Sequence, residues 1–406
     1  MTANDVADAL GRARAVAPNG YAARLLVAIL TTAGLFYVDF MPALVIGLQA
    51  GLGFTPQAAG YVVAANVYGA AAGGLVAVFT VNLVPWRAAA MVALLLLIGA
   101  DALSTQVSTP GAMIALRLVD GLIGGVLVGT GYSIIARMQT PERTFGMLLV
   151  VQFGLGGLGV FWLPRLVERF GASVLFLALI AFSVLALIAL PLIPRHAPHA
   201  ATLRTNAAAQ VRDPHYGALL AALAAVFLFQ ASSMGIMAFM FNIGRSQGLR
   251  TEFISTQAGL AHIVAIAGGL LVLSVGVKWG RARLIILGLI AAIAARAFFL
   301  EGTAFTFAVA ATGAAVTHAF VLPYLLGLCA SFDLKGRITT LGGFISKLGL
   351  ASGPAVGALL IGGNGYDRLV LVALAGLVGA GVAAMLALAA LRGRQAIYEE
   401  ELDHRC

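Results

Sequence analysis

The stretch Gly111–Arg137, GAMIALRLVDGLIGGVLVGTGYSIIAR, is long and apolar enough at 27 residues to cross a bilayer as one tilted helix. It nevertheless carries Arg117 and Asp120 inside the apolar run. Each such charge costs at least ~2.5–3.5 kcal/mol near the centre of a membrane helix on insertion scales. At i,i+3 spacing the two side chains lie on adjacent parts of one helical face and partly neutralise each other. Gly121, Gly125 and Gly129 follow Arg117 at steps of four, a smooth ridge on which another helix can approach closely. A plain anchor needs neither feature. Two readings stay open, a structural ion pair that locks two helices and a pair with a working role.

The same length and polarity recur along the chain. Apolar runs occupy Ala22–Leu48, Gln57–Val81, Ala88–Ser104, Gly111–Ala136, Phe145–Pro164 and Ala172–Ile193. After the polar segment Pro194–Tyr216 they resume at Gly217–Ile243, Phe253–Val277, Leu284–Leu300, Ala304–Ser331, Ile338–Ile361 and Leu369–Leu391. The expected organisation is an N-terminal arm (1–21), a six-helix bundle (22–193), a linker (194–216), a second six-helix bundle (217–391) and a charged tail (392–406). The linker has prolines, histidines and charge but no apolar periodicity. Only 10% of the 406 residues are charged, against about 25% in soluble domains, which excludes a soluble enzyme or carrier. The first apolar run is too long for the core of a cleaved signal peptide.

A net charge of +9 would suggest nucleic acid in a soluble protein. Here location explains it. With the N-terminus inside, seventeen basic residues fall in inner loops against five in outer ones. That asymmetry follows the positive-inside rule, puts both termini in the cytoplasm and needs no nucleic-acid partner. Cys329 and Cys406 are too few for a disulfide framework or a metal cluster, and no cofactor is expected.

The two halves echo each other. Leu35–Met41 in span one and Leu228–Met234 in span seven share their opening, and a helix starting with Gln-Ala follows each, at Gln57 and Gln257. Gln152-Phe153-Gly154-Leu155 in span five is matched by Lys347-Leu348-Gly349-Leu350 in span eleven. Internal repeats of this kind mark secondary transporters.

With these residues in view, the chain resembles a twelve-helix transporter of the major facilitator superfamily over essentially its whole length. Span four carries the superfamily's Arg-x-x-polar-Gly pattern as Arg117-Leu118-Val119-Asp120-Gly121, with Asp120 where Gln is commoner. The turn Gly276-Val277-Lys278-Trp279-Gly280-Arg281-Ala282-Arg283 resembles the short basic signature loop without its aspartate. The corresponding loop after span two keeps little beyond Arg87. The Gly-Pro motif that drug antiporters carry in span five is absent there, and a similar pattern, Gly353-Pro354, stands in span eleven. The resemblance implies an all-α membrane protein in which spans one, four, seven and ten line a central cavity.

Within that frame, depth singles out candidate residues. Asp39 lies ~22 Å and Lys347 ~15 Å into the core at ~1.5 Å per residue, counted from Arg24 and Arg337. A carboxylate whose neighbours change between two states can load and release a proton. Asp39 is therefore the expected proton carrier, with Arg117 as its switching partner and Asp120 beside it. A packing role for Asp39 is the competing reading. Lys347 is expected to meet a solute carboxylate or to act as a fixed countercharge. His318, Gln152, Gln230, Ser233, Tyr37, Asn66 and Tyr132 complete the expected solute-binding set. His262 and His318 are mid-span, where each is a titrating group or a hydrogen-bonded core histidine. Asp101, Arg296 and Glu301, on outer helices near the outer face, read as structural. The Phe and Met side chains of span seven read either as packing or as a surface for an aromatic solute.

The expected activity is secondary transport of a small organic solute by alternating access, coupled to protons, with uptake of an organic anion or zwitterion favoured. Proton-driven efflux of hydrophobic compounds is the alternative. A membrane-embedded enzyme or a receptor is more remote, because the loops are short, lack metal-ligand spacing and hold no sensing domain. The expected setting is a bacterial inner membrane, and the expected unit a monomer working with its solute, protons and lipid.

Overall fold

The computed structural model describes residues 20–80, 83–136, 138, 141–194, 216–275, 279–332, 337–361 and 366–403. Nearly all of the expected arm and linker lie outside the described residues. A bilayer offers no water to bare N–H and C=O groups, so apolar runs of this length close their hydrogen bonds as helices. Eleven described helices are long and apolar enough to span a membrane. Span one completes the twelve in three pieces, Tyr21–Ala33, Phe36–Asp39 and Met41–Leu52.

The interruption of span one begins at Gly34. A Cβ there would stand 2.4 Å from the Gly124 carbonyl oxygen, so only glycine lets spans one and four approach this closely. The helix restarts with Pro42 in its first turn, where a missing N–H costs nothing. Span seven is interrupted as well, as Tyr216–Ala238 and Met240–Ser246.

Two helices outrun their expected ends. Span five covers Pro141–Phe170 and passes through Pro164, where the apolar run was expected to stop. The same helix packs against spans one and eight. Span twelve covers Asp367–Asp403, carrying the helix through the expected tail. Its Ala, Leu, Arg, Gln and Glu are strong helix formers that need no membrane to continue the helix.

Within the first half, spans two and four pack along their length. A Cβ on Gly121 would stand 1.8 Å from the Asn66 carbonyl oxygen, so the glycine ridge of span four is the seam expected from its spacing. In the second half, span seven lies between spans eleven and twelve. Across the halves, span two meets span eleven and span five meets span eight.

The cross-half hydrogen bonds of the described residues concentrate at the face opposite the linker. Gln49 and Asn242 exchange side-chain amide bonds of 3.1 and 2.7 Å. Gln57 donates to the Ile361 carbonyl. Arg165 donates to Thr256 Oγ1 at 2.8 Å and to the Glu252 carbonyl at 3.1 Å. Nearer the middle of spans two and eleven, Tyr68 and Ser352 share a 2.8 Å hydroxyl bond. The two halves are thus closed on each other at that face.

Candidate functional site

Asp39 is the last residue of the short helical turn at the centre of span one. The breaks on either side place its backbone against Gly156 of span five, where a Cβ would stand 2.9 Å from the Asp39 carbonyl oxygen. The carboxylate is half-buried, and its Oδ2 is buried without a hydrogen-bond partner. Tyr132 of span four lies within its electrostatic reach. From the other half, the His262 ring of span eight faces the Asp39 backbone while Nδ1 lies 2.8 Å from the Ala258 carbonyl oxygen. A bare carboxyl oxygen at a junction between the halves can exchange a proton when that junction opens.

Arg117 does not complete this site. Its guanidinium is 0% exposed and turned to span three, with Nη1 donating to Asp101 Oδ1 at 2.7 Å. The same nitrogen lies 3.3 Å from Asp120 Oδ2, the i,i+3 pairing expected from the sequence. Nη2 donates to the Ala100 carbonyl at 3.1 Å and to the Ser104 hydroxyl. Asn66 of span two adds a 2.8 Å bond to Asp120 Oδ2. The rings of Tyr37 and Phe176 lie 5.7 and 5.3 Å from the guanidinium carbon. Among the described residues Arg117 forms its ion pairs with Asp101 and Asp120 and none with Asp39. Two acids hold it from within its own half.

Asp101, read from the sequence as structural, is 2% exposed and is the nearer of the two acids that pair with Arg117. Arg296, also read as structural, is 1% exposed. It donates to Thr317 Oγ1 and Ser233 Oγ at 3.1 Å each. It also donates to the carbonyls of Ala292 and Ala314 at 3.1 and 3.3 Å. Among the described residues no carboxylate pairs with it. Each helix bearing these charges is outer by position, but the charged end points inward, as burial without a partner would cost too much.

The remaining candidates divide into two groups. Lys347, His318 and Gln152 are half-buried and Tyr132 is 36% exposed. The Lys347 ammonium crosses the interface, lying 2.9 Å from where a Cβ on Gly74 of span two would be. His318 stacks on Phe229 with ring centres 5.6 Å apart, and its Nδ1 is buried without a partner. The other group is packed away. Tyr37 and Asn66 are buried beside Arg117, Gln230 donates to Ser346 at 2.9 Å, and Ser233 is bound to Arg296. In this conformation those four hold helices together rather than face a solute.

The apolar side chains of span seven follow the packing reading. Phe229, Met234, Phe239, Met240 and Phe241 are all buried within the protein. Sequence spacing gave no sign of the Gln49–Asn242 and Tyr68–Ser352 bonds, which join residues far apart in the chain. The cue for Asp101 was present, an ionisable residue inside an apolar run.

The sequence profile of the Major Facilitator Superfamily matches residues 25–358. The chain belongs to the Major Facilitator Superfamily. As a superfamily member it is a multi-pass membrane transporter rather than an enzyme. Among solved structures it is similar to a D-xylose-proton symporter, with a TM-score of 0.67 and 15% identity over 90% of this chain and 96% of that one. It is also similar to the nucleoside transporter NupG, with a TM-score of 0.65 and 15% identity over 90% of this chain and 98% of that one. At such identities the likeness is one of fold. No curated protein sequence matches the chain.

Proposed function

We propose that this superfamily member moves a small organic anion or zwitterion together with protons, with Asp39 carrying the proton and Lys347 meeting the solute's carboxylate. One observation carries the reading. Asp39 offers an unpartnered carboxyl oxygen, and Lys347 an ammonium with no ion pair among the described residues, both at the junction of the halves. Rocking of the halves changes the surroundings of both groups, which is what coupling requires. Two fold neighbours are named for small polar cargo, a nucleoside transporter and a xylose-proton symporter.

The basic bias of the linker side supports placing that side and both termini in the cytoplasm, and the membrane is taken to be a bacterial inner membrane. On that placement the face closed in this conformation is the outer one. A single chain holds both halves and so suffices as the working unit. Efflux of hydrophobic compounds draws less support, because the Phe and Met side chains of span seven are committed to packing. The test is proton movement driven by solute in proteoliposomes, across a panel of carboxylates, zwitterions and lipophilic cations. Proton flux with carboxylates or zwitterions supports the proposal, and flux with lipophilic cations alone removes it.

A further inference from the structure

Beside Arg117 the first half encloses a small cavity of about 10 Å³, room for roughly one water-sized sphere. Gly34, Tyr37, Asn66, Asp101, Asp120 and Ser183 contribute to its wall. We infer that this cavity is a binding site for one sodium-sized monovalent cation, separate from the site at Asp39 and Lys347.

Charge is the first argument. One guanidinium faces two carboxylates, Asp101 at 2.7 Å and Asp120 at 3.3 Å, within a bundle core. Spans one, two, three, four and six contribute the facing groups Tyr37, Asn66, Asp101, Arg117, Asp120 and Ser183, and Arg117 is the one cation among them. With both carboxylates ionised the cluster carries one negative charge more than Arg117 balances, and a bound cation would offset it where a proton otherwise must.

Unused oxygens are the second. Asp120 Oδ2 is taken by Arg117 and Asn66, but Oδ1 is buried without a hydrogen-bond partner. The Tyr37 hydroxyl, on a residue 5% exposed, is likewise buried and unpartnered, and both residues line the cavity. A cation would take a lone pair from each.

The backbone supplies the third. The first piece of span one ends at Ala33, and its last bonds are Gly34 N–H to Thr31 and Leu35 N–H to Thr32. The carbonyls of Ala33 and Gly34 thus come at the end of the ladder, beside the cavity that both residues line. Broken membrane helices present such carbonyls to small cations. A carboxylate, a phenol and end-of-helix carbonyls form a hard oxygen set suited to sodium rather than to a softer metal.

The test uses the purified full-length protein in detergent, with thermal unfolding and radioactive sodium binding measured in NaCl against choline chloride at fixed ionic strength. Sodium is expected to raise the Tm saturably by a few degrees, because it binds the folded state alone. Tyr37→Phe is expected to raise the half-saturating sodium concentration roughly tenfold, the scale of one lost polar ligand. Asp120→Asn abolishes the sodium response, and Asp39→Asn retains it. Tyr37→Phe keeps the inference testable if Asp120→Asn does not fold. Equal Tm in sodium and choline with no bound sodium overturns the inference, as does stabilisation by acid alone. A sodium response undiminished in both Tyr37→Phe and Asp120→Asn overturns the location. Failure here leaves proton coupling at Asp39 untouched, since that is read from solute-driven proton flux.

Discussion

Asp101 and Arg296 stand fifteen residues past the first residue of spans three and nine, the same place in the two halves, and carry opposite charge. Each is buried and each reaches inward, Asp101 to Arg117 of span four and Arg296 to Thr317 of span ten. The first half thus encloses one cation with two acids. The second encloses Arg296 among neutral acceptors, with Lys347 at the junction. The buried charges that fix the two halves are thus held in different ways, by ion pairs in the first and by neutral acceptors in the second.

The Arg117 cluster sets the stability of the first half. Asp101→Asn leaves Asp120 as the counter-ion of the guanidinium but removes its 2.7 Å charge-assisted bond, which contributes about 1.5–3 kcal/mol. Thermal unfolding in detergent should show a large drop in Tm for Asp101→Asn and little change for Asp39→Asn, whose carboxyl makes no ion pair among the described residues. Equal effects would mean that the cluster does not hold the helices together.

Lys347 is predicted to set the sign of the accepted solute. Lys347→Gln should weaken anionic solutes by about 1.5–3 kcal/mol, the scale of a hydrogen bond to a charged group, and leave neutral analogues nearly unchanged. Competition binding with a carboxylate and its amide measures the difference. Equal weakening of both makes the residue structural.

The face opposite the linker must open during each cycle. A disulfide between Gln49→Cys and Asn242→Cys, whose native side chains lie 2.7 Å apart, is predicted to arrest transport. Reduction should restore it. Full transport in the cross-linked protein would show that these helix ends do not separate.

The linker at 194–216 is predicted to be cytoplasmic. Single cysteines placed there should react with a membrane-impermeant thiol reagent in inverted vesicles and stay unlabelled in intact cells. Labelling from outside reverses the orientation.

Hydropathy made the spans legible, because a bilayer leaves an apolar run of this length no fold but a helix. The span four seam was legible too, since glycines four apart share one face. The partner of Arg117 was not. Sequence spacing reveals neighbours on the same helix, so Asp120 was visible, whereas Asp101 lies on span three and meets Arg117 only after packing. The same reason hid the neutral cage around Arg296. The roles expected of Gln230 and Ser233 rested on their lying in a cavity-lining helix, and periodicity alone does not say which face of that helix meets a neighbour. The break in span one was hidden because Gly34 is one of 49 glycines in the chain.

Asp39 is proposed to couple proton movement to solute movement. The most direct measurement is accumulation of a carboxylate or zwitterionic solute in proteoliposomes under an imposed pH gradient, set beside exchange of the same solute at equal pH. Asparagine keeps the size of Asp39 but carries no proton. Asp39→Asn is expected to lose gradient-driven accumulation and retain exchange, and accumulation equal to that of the unmodified protein would remove Asp39 from the coupling role.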